Sequence, residues 1–217
     1  MKKKSFVAFL ALLLIITACG PLPTKTAPVA DKNLLYSDDF TNSKSGWDRF
    51  QDRAGVTDYS NVGYLIYVKS ADMIKWANPT KKFPNDVRIE VDTTMTVGPV
   101  NNAFGVICRY QDPSNYYYFF ISSDGYAGIG RKQNGNHSII SSPDGKLEQE
   151  KGINTGAASN HIRVDCIGKN LTLYANGTQV ATASDSTFPD GNVGLIARTY
   201  DTGGADILFN NFFVYKP

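Results

Sequence analysis

From Leu34 onward the chain is written in short runs rich in Val, Ile, Tyr and Phe, separated by Gly, Asn, Asp and Pro at intervals of about 8 to 12 residues. Runs this short cannot present a helical face, and punctuation this regular fits a β-sandwich or barrel. The strands are expected at Tyr64 to Lys69, Val87 to Met95, Ala103 to Tyr110, Tyr116 to Ser122, Ala127 to Lys132, His161 to Ile167, Leu171 to Ala175, Gln179 to Ala183, Val193 to Thr199 and Ile207 to Tyr215. Asn176-Gly177 lies between two such runs, and both central positions of a type I′ turn need the positive φ these residues tolerate, so a tight hairpin is expected there. Asp112-Pro113-Ser114-Asn115 and Ser123-Asp124-Gly125 make Ala103 to Lys132 a three-stranded antiparallel meander. Gln133 to Ser159, polar and Gly-rich, is the longest irregular stretch and by its length the expected mobile or ligand-facing loop.

Alternation assigns faces. Ile162, Val164 and Cys166 form the core side of one strand, opposite His161, Arg163 and Asp165. In the run from Ala103 the set Phe104, Val106, Cys108 and Tyr110 is the more apolar, leaving Arg109 on the other side with Gly105 and Ile107. Cys108 and Cys166 therefore both fall on core-like faces. They are either bridged or packed as free thiols, since a disulfide needs Cα atoms within about 7 Å and sequence supplies no distance.

The N-terminus is of another kind. Lys2, Lys3 and Lys4 precede an apolar run from Phe6 to Ile16, far shorter than the roughly 20 residues of a membrane span, and the pattern reads as a signal peptide over residues 1–18. Ile16-Thr17-Ala18-Cys19 resembles the lipobox of bacterial lipoproteins. That resemblance implies diacylglycerol on the Cys19 sulfur, palmitate among the acyl groups, and a mature chain starting at Cys19. The alternative is a plain secretory peptide cleaved near Ala18. Residues 19–33, with Pro21, Pro23 and Pro28 and no hydrophobic face, read as a tether, and residues 34–217 as the folded domain. The expected location is extracytoplasmic, with the membrane reached through the lipid anchor alone; Gly20, by resemblance to Gram-negative sorting rules, does not retain the protein at an inner membrane. Loss of the three leader lysines takes the net charge from +2 to about −1, and no basic cluster follows Lys4, so the counterion displacement that nucleic-acid binding requires has no source.

Several stretches resemble the concanavalin A-like lectin and glucanase sandwich, the jelly roll shared by laminin G-type modules and by the bacterial 3-keto-disaccharide hydrolase-type domain. They are Tyr36 to Phe40 with Gly46-Trp47, Phe104 to Tyr110 with Asn115 to Phe120, His161 to Asp165, Leu171 to Gly177, Gly191 to Ala197 and Ile207 to Val214. The resemblance implies an all-β, two-sheet antiparallel jelly-roll sandwich; its function has to be read from a site. Retaining glucanases of that superfamily carry Glu-x-Asp-x-x-Glu, and the nearest text here, Glu90-Val91-Asp92-Thr93-Thr94-Met95, has methionine in place of the acid that protonates the leaving oxygen. Glu90 and Asp92 read as solvent-facing charges, His137 and His161 as surface residues without the neighbours a zinc or triad site requires, and Gly128 and Gly130 as points of close sheet packing. No catalytic residue is assigned.

A binding surface fits better. Sugars are held by aromatic rings against their C–H faces and by planar or charged groups on their hydroxyls. Arg109, Arg131, Asp165 and Arg198, with Arg163, supply the polar groups, while Trp47, Tyr117 and Tyr126, with Tyr200, supply rings that could line one groove. The resemblance also raises a structural calcium near the chain ends, with Asp38 and Asp39 as ligands, although Asn210-Asn211 stands where related domains carry Asp-Asn. The expectation is a lipid-anchored module that binds a glycan or another envelope ligand; the alternatives are a glycoside hydrolase of the 3-keto-disaccharide type and an adhesion module with a protein partner.

Overall fold

The computed structural model describes residues 31–217. Cys19, the signal peptide and most of the tether lie outside the described residues. Within them there is no helix, and the strands form two antiparallel sheets packed face to face.

The first sheet has nine strands. β14 (Thr178–Ser184), β13 (Asn170–Ala175), β12 (Ser159–Ile167), β6 (Val87–Val97), β16 (Ala205–Tyr215), β4 (Gly63–Val68), β3 (Gly55–Ser60) and β2 (Phe50–Asp52) lie in that order, and β1 (Leu34–Asp38) joins the second half of β16. The second sheet runs β10 (Asn136–Ile139), β9 (Tyr126–Gln133), β8 (Asn115–Ile121), β7 (Asn102–Asp112), β15 (Asn192–Thr199) and β5 (Ile74–Ala77), with β11 (Glu148–Gln149) also on β9. Each expected strand is present, the β7–β8–β9 meander forms, and Asn176 and Gly177 turn with φ of 51° and 82° as a type I′ hairpin demands. The interior is the period-two face of both sheets: Ile89, Val91, Ile162, Val164 and Phe209 from one, Phe104, Val106, Phe119, Ile129 and Leu195 from the other. Cys108 on β7 and Cys166 on β12 are joined across this interior by a disulfide, their Cα atoms 6.8 Å apart.

One alternation breaks. A bulge in β7 after Cys108 puts Arg109 at φ 51°, so the extra residue exchanges the faces beyond it. Tyr110, expected in the core, instead packs with Tyr116 on the outer face, and Arg109 turns into the end of the sandwich. The stretch from Gln133 to Ser159 also departs from the expectation of an irregular loop, because β10 and β11 both pair with β9. Ile139 and Leu147 of that stretch pack onto the outer face of the second sheet, while Ile140 and Ile153 pack with the interior.

Candidate functional site

The outer face of the second sheet carries a hydrophobic layer separate from the core. Tyr116, Tyr118 and Phe120 alternate out of β8, joined by Ile107 and Ile196 and flanked by Trp76, Tyr110 and Tyr200. On β9 the partners of Tyr118 and Phe120 in register are Gly130 and Gly128, which leave room for the rings. A Cβ on Gly130 would fall within the Tyr118 ring, and one on Gly128 would meet Leu147 and Ser141, as the close-packing reading of both glycines anticipates.

At one end of this face a cleft of about 580 Å³ opens. Tyr118 lines it, beside Arg198 and Tyr200 from the end of β15 and the segment after it. The β8–β9 turn contributes Ser122, Asp124 and Tyr126, and the stretch after β9 contributes His137, Ile139 and Lys146. Arg198 stacks its guanidinium 4.7 Å over the Tyr200 ring and donates Nη2 to Asp72 at 3.1 Å. The Asp124 carboxylate is oriented by the Ser122 hydroxyl, and Tyr126 is 38% exposed at the mouth. His137 stands edge-on to Tyr118 with ring centres 5.5 Å apart. Partial burial, then the charges of Lys132 and Arg198, push its pKa down to about 4, so the imidazole is neutral at physiological pH. Burial raises the Tyr118 and Tyr200 hydroxyls and keeps them as neutral donors. The cleft thus combines rings with neutral and charged hydrogen-bonding groups.

Of the nine residues expected to share one groove, Tyr126, Arg198 and Tyr200 line this cleft and the others do not. Arg109 is 3% exposed and donates to the Phe188 and Asn85 carbonyls and to Asp86, tying two loops at the far end of the sandwich. Tyr117 and Arg131 point inward from β8 and β9 and converge on Asp185, at 2.5 and 2.6 Å, fixing the segment after β14. Trp47 is a core residue whose Nε1 donates to Asp38 at 3.0 Å. Asp165 lies on the outer face of the other sheet, between Arg88 and Arg163. His137 is the cleft residue that sequence reading set aside as a surface polar group, and the pairing of β10 with β9 is what brings it there.

Asp165 carries a testable pH dependence. Burial opposes its charge, but hydrogen bonds from Arg163 and Arg88 outweigh burial and hold the carboxyl below the usual carboxylate range. A depressed folded-state pKa contributes stability that is complete above the unfolded value of about 3.9 and is lost as pH falls through it toward the folded value. Urea midpoints measured from pH 6 down to pH 3 are expected to fall less steeply in Asp165→Asn than in the parent protein.

The two carboxylates considered for calcium have protein partners. Asp38 accepts from the Phe40 N–H, the Trp47 indole and the Tyr36 hydroxyl, and Asp39 Oδ1 from the Thr41 N–H and hydroxyl. Among the described residues no group of three or more His, Cys, Asp or Glu side chains is placed to hold a metal. Glu90 and Asp92 lie on the outer face of the first sheet, away from the cleft. His161 there is better partnered than a lone surface histidine, with Nδ1 2.8 Å from Asp92 and Nε2 3.7 Å from Glu90.

No protein-family model matches the chain, and no curated protein matches it in sequence. Solved structures do match in fold. The carbohydrate-binding module CBM66 from Bacillus subtilis superposes with a TM-score of 0.63 at 19% identity, over 79% of this chain and 96% of that one. A Bacillus subtilis protein of unknown function with a galectin-like fold gives 0.58 at 9%, over 84% and 96%. The GH43 protein BlXynB from Bacillus licheniformis gives 0.58 at 12%, over 85% of this chain and 39% of that one. These likenesses show the fold, a two-sheet antiparallel jelly-roll sandwich.

Proposed function

We propose that the domain is a non-catalytic carbohydrate-binding module, held at the cell envelope by a lipid on Cys19. The observation that carries the binding reading is the cleft itself. Exposed and half-buried tyrosines suit the C–H face of a sugar ring, while Arg198, Asp124 and neutral His137 are placed to bond its hydroxyls. The similarity to a carbohydrate-binding module of nearly the same extent supports it. The nearest approach to a glucanase acid pair, Glu90 and Asp92, has its charges engaged by His161 and Asn211 on the opposite sheet, which favours binding over hydrolysis.

The topology suits an anchored receptor. The chain enters the domain where Leu34 pairs with Tyr215, and Tyr215 pairs with Arg88 at the start of β6. Asn101, Asn102, Ser122 and Arg198 of the cleft lie at the other end of β6, beyond Val97. The nine residue steps from Arg88 to Val97 span about 30 Å at a strand's rise per residue. The point where the chain enters the domain and the cleft therefore lie toward opposite ends of β6.

The test is a glycan array probed with the soluble 31–217 domain, which holds its own hydrophobic core, followed by titration of the glycan that binds. Tyr126→Ala removes an exposed ring and is expected to leave the melting temperature within about 1–2 °C of the parent while weakening binding about tenfold, the upper end of the range for loss of one stacked ring. Unchanged affinity in that variant would place the ligand elsewhere. Mass spectrometry of the membrane fraction is expected to find an acylated N-terminal Cys19.

A further inference from the structure

We infer that the cleft selects sugars that carry a carboxylate, with Arg198 and Lys132 as the groups that read the charge. The inference rests on the glycan-binding reading and adds the chemical class of the ligand. Arg198 is incompletely used by the protein: Nη2 is held by Asp72, whereas Nε is buried with no acceptor. Asp72 is a weak holder, because its side chain is 82% exposed and an ion pair so open to water contributes little. A ligand carboxylate can displace it and take the guanidinium through two parallel N–H bonds, the geometry for which arginine is suited.

The second cation, Lys132, stands beside the cleft rather than in its lining, paired in register with His137. Its ammonium stands 5.7 Å from the Tyr116 ring centre and 5.8 Å from that of Trp76, and among the described residues it forms no ion pair. Lys146 lines the cleft from the opposite wall. The opposing charges are Asp124, whose carboxylate is turned to the Ser122 hydroxyl, Asp72, and Asp112, which acts on Lys132. Asp72 is the displaceable one, and its displacement leaves the three cations in excess of the two remaining acids. The depression of the His137 pKa records the same positive field, since after burial its causes are Lys132 and Arg198. A neutral sugar would leave the Arg198 donor unused and gain nothing from that field, whereas a uronic or sialic acid uses both.

The experiment measures binding of the 31–217 domain to polygalacturonate, alginate, hyaluronan and sialyllactose, each beside its carboxyl-reduced form, on an array that also carries neutral glycans. At least one acidic glycan is expected to bind at least tenfold tighter than its reduced form. Arg198→Gln and Lys132→Gln, each with an unchanged melting curve, are expected to remove most of that preference, while Lys216→Gln at the entry pole leaves it intact. Equal affinity for acidic and reduced forms, or binding confined to neutral glycans, overturns the charge selection and leaves glycan binding standing. Absence of binding to every glycan overturns both.

Discussion

Replacing Cys108 and Cys166 together by alanine is expected to lower the unfolding free energy of the 31–217 domain by about 4 kcal/mol, the loop-closure value for a bridge closing about 58 residues. For a domain of this size that is a fall of roughly 10 °C in melting temperature. The bridge joins β7 to β12, and so ties the sheet that carries the cleft to the sheet through which the chain enters. Without it the two layers are held by side-chain packing alone, and the unfolded chain regains the freedom the bridge removes. Urea unfolding of the double variant, compared with the parent in the presence and absence of reductant, measures the loss. The parent under reductant should move to the midpoint of the variant, and the variant should not respond. The cleft lies near the β6–β7 turn and Ser122, remote from the Cys108 end of β7, so ligand affinity below the melt is expected to persist. A loss under 1 kcal/mol would show that the sheets are pinned by packing and that the bridge is incidental to stability.

Legibility in the sequence followed the range of the interaction that decides each feature. Alternation and turn chemistry act over a few residues, so strands such as His161 to Ile167, the Asn176-Gly177 hairpin and the core faces of Ile162 and Val164 could be read directly. Of the six strands that went unread, β2, β5, β10 and β11 are two to four residues long and owe their state to a neighbour already in place, while β1 and β3, of five and six residues, lack a clean run of apolar residues. The site suffered most from a single-residue event. The bulge after Cys108 exchanges faces beyond it, and no pattern in Arg109-Tyr110-Gln111 marks it, because an arginine at positive φ is a cost the tertiary contacts of Arg109 must offset. Tyr117, Arg131 and Asp165 are expected from the sequence as ligand contacts, and the structure gives their polar groups internal partners instead. Asp185 is 68 and 54 residues from Tyr117 and Arg131 and meets them through the packing of one sheet on the other, while strand register brings Arg88, 77 residues away, to Asp165. The aromatic layer on the outer face was present in the text as Tyr116, Tyr118 and Phe120. What hid it is that both faces of β8 are apolar, which periodicity cannot divide into core and site.

Trp47→Ala is expected to destabilise the domain by about 3–5 kcal/mol, the range for truncating a large buried aromatic, and to leave ligand affinity in the surviving folded protein unchanged. Trp47 was read from the sequence as a ring for ligand stacking, and the two roles differ in measurable ways. The indole is 4% exposed and packs at 5.4 Å from Phe40, 5.6 Å from Tyr64 and 4.9 Å edge-on to Phe212. Truncation therefore opens a cavity among rings that cannot easily collapse into it. It also removes one of the donors that satisfy buried Asp38, leaving the Phe40 N–H and the Tyr36 hydroxyl to hold the carboxylate. Trp47→Phe separates the contributions, since it keeps most of the ring volume but not the N–H, and its loss should be smaller than that of alanine. Calorimetric melts of both variants, with affinity measured for the glycan that binds the parent, decide the matter. A wild-type melting temperature together with lost binding would return Trp47 to the ligand surface. A large drop in stability with intact binding fixes it as the residue that joins the entry strand, through Asp38, to the core.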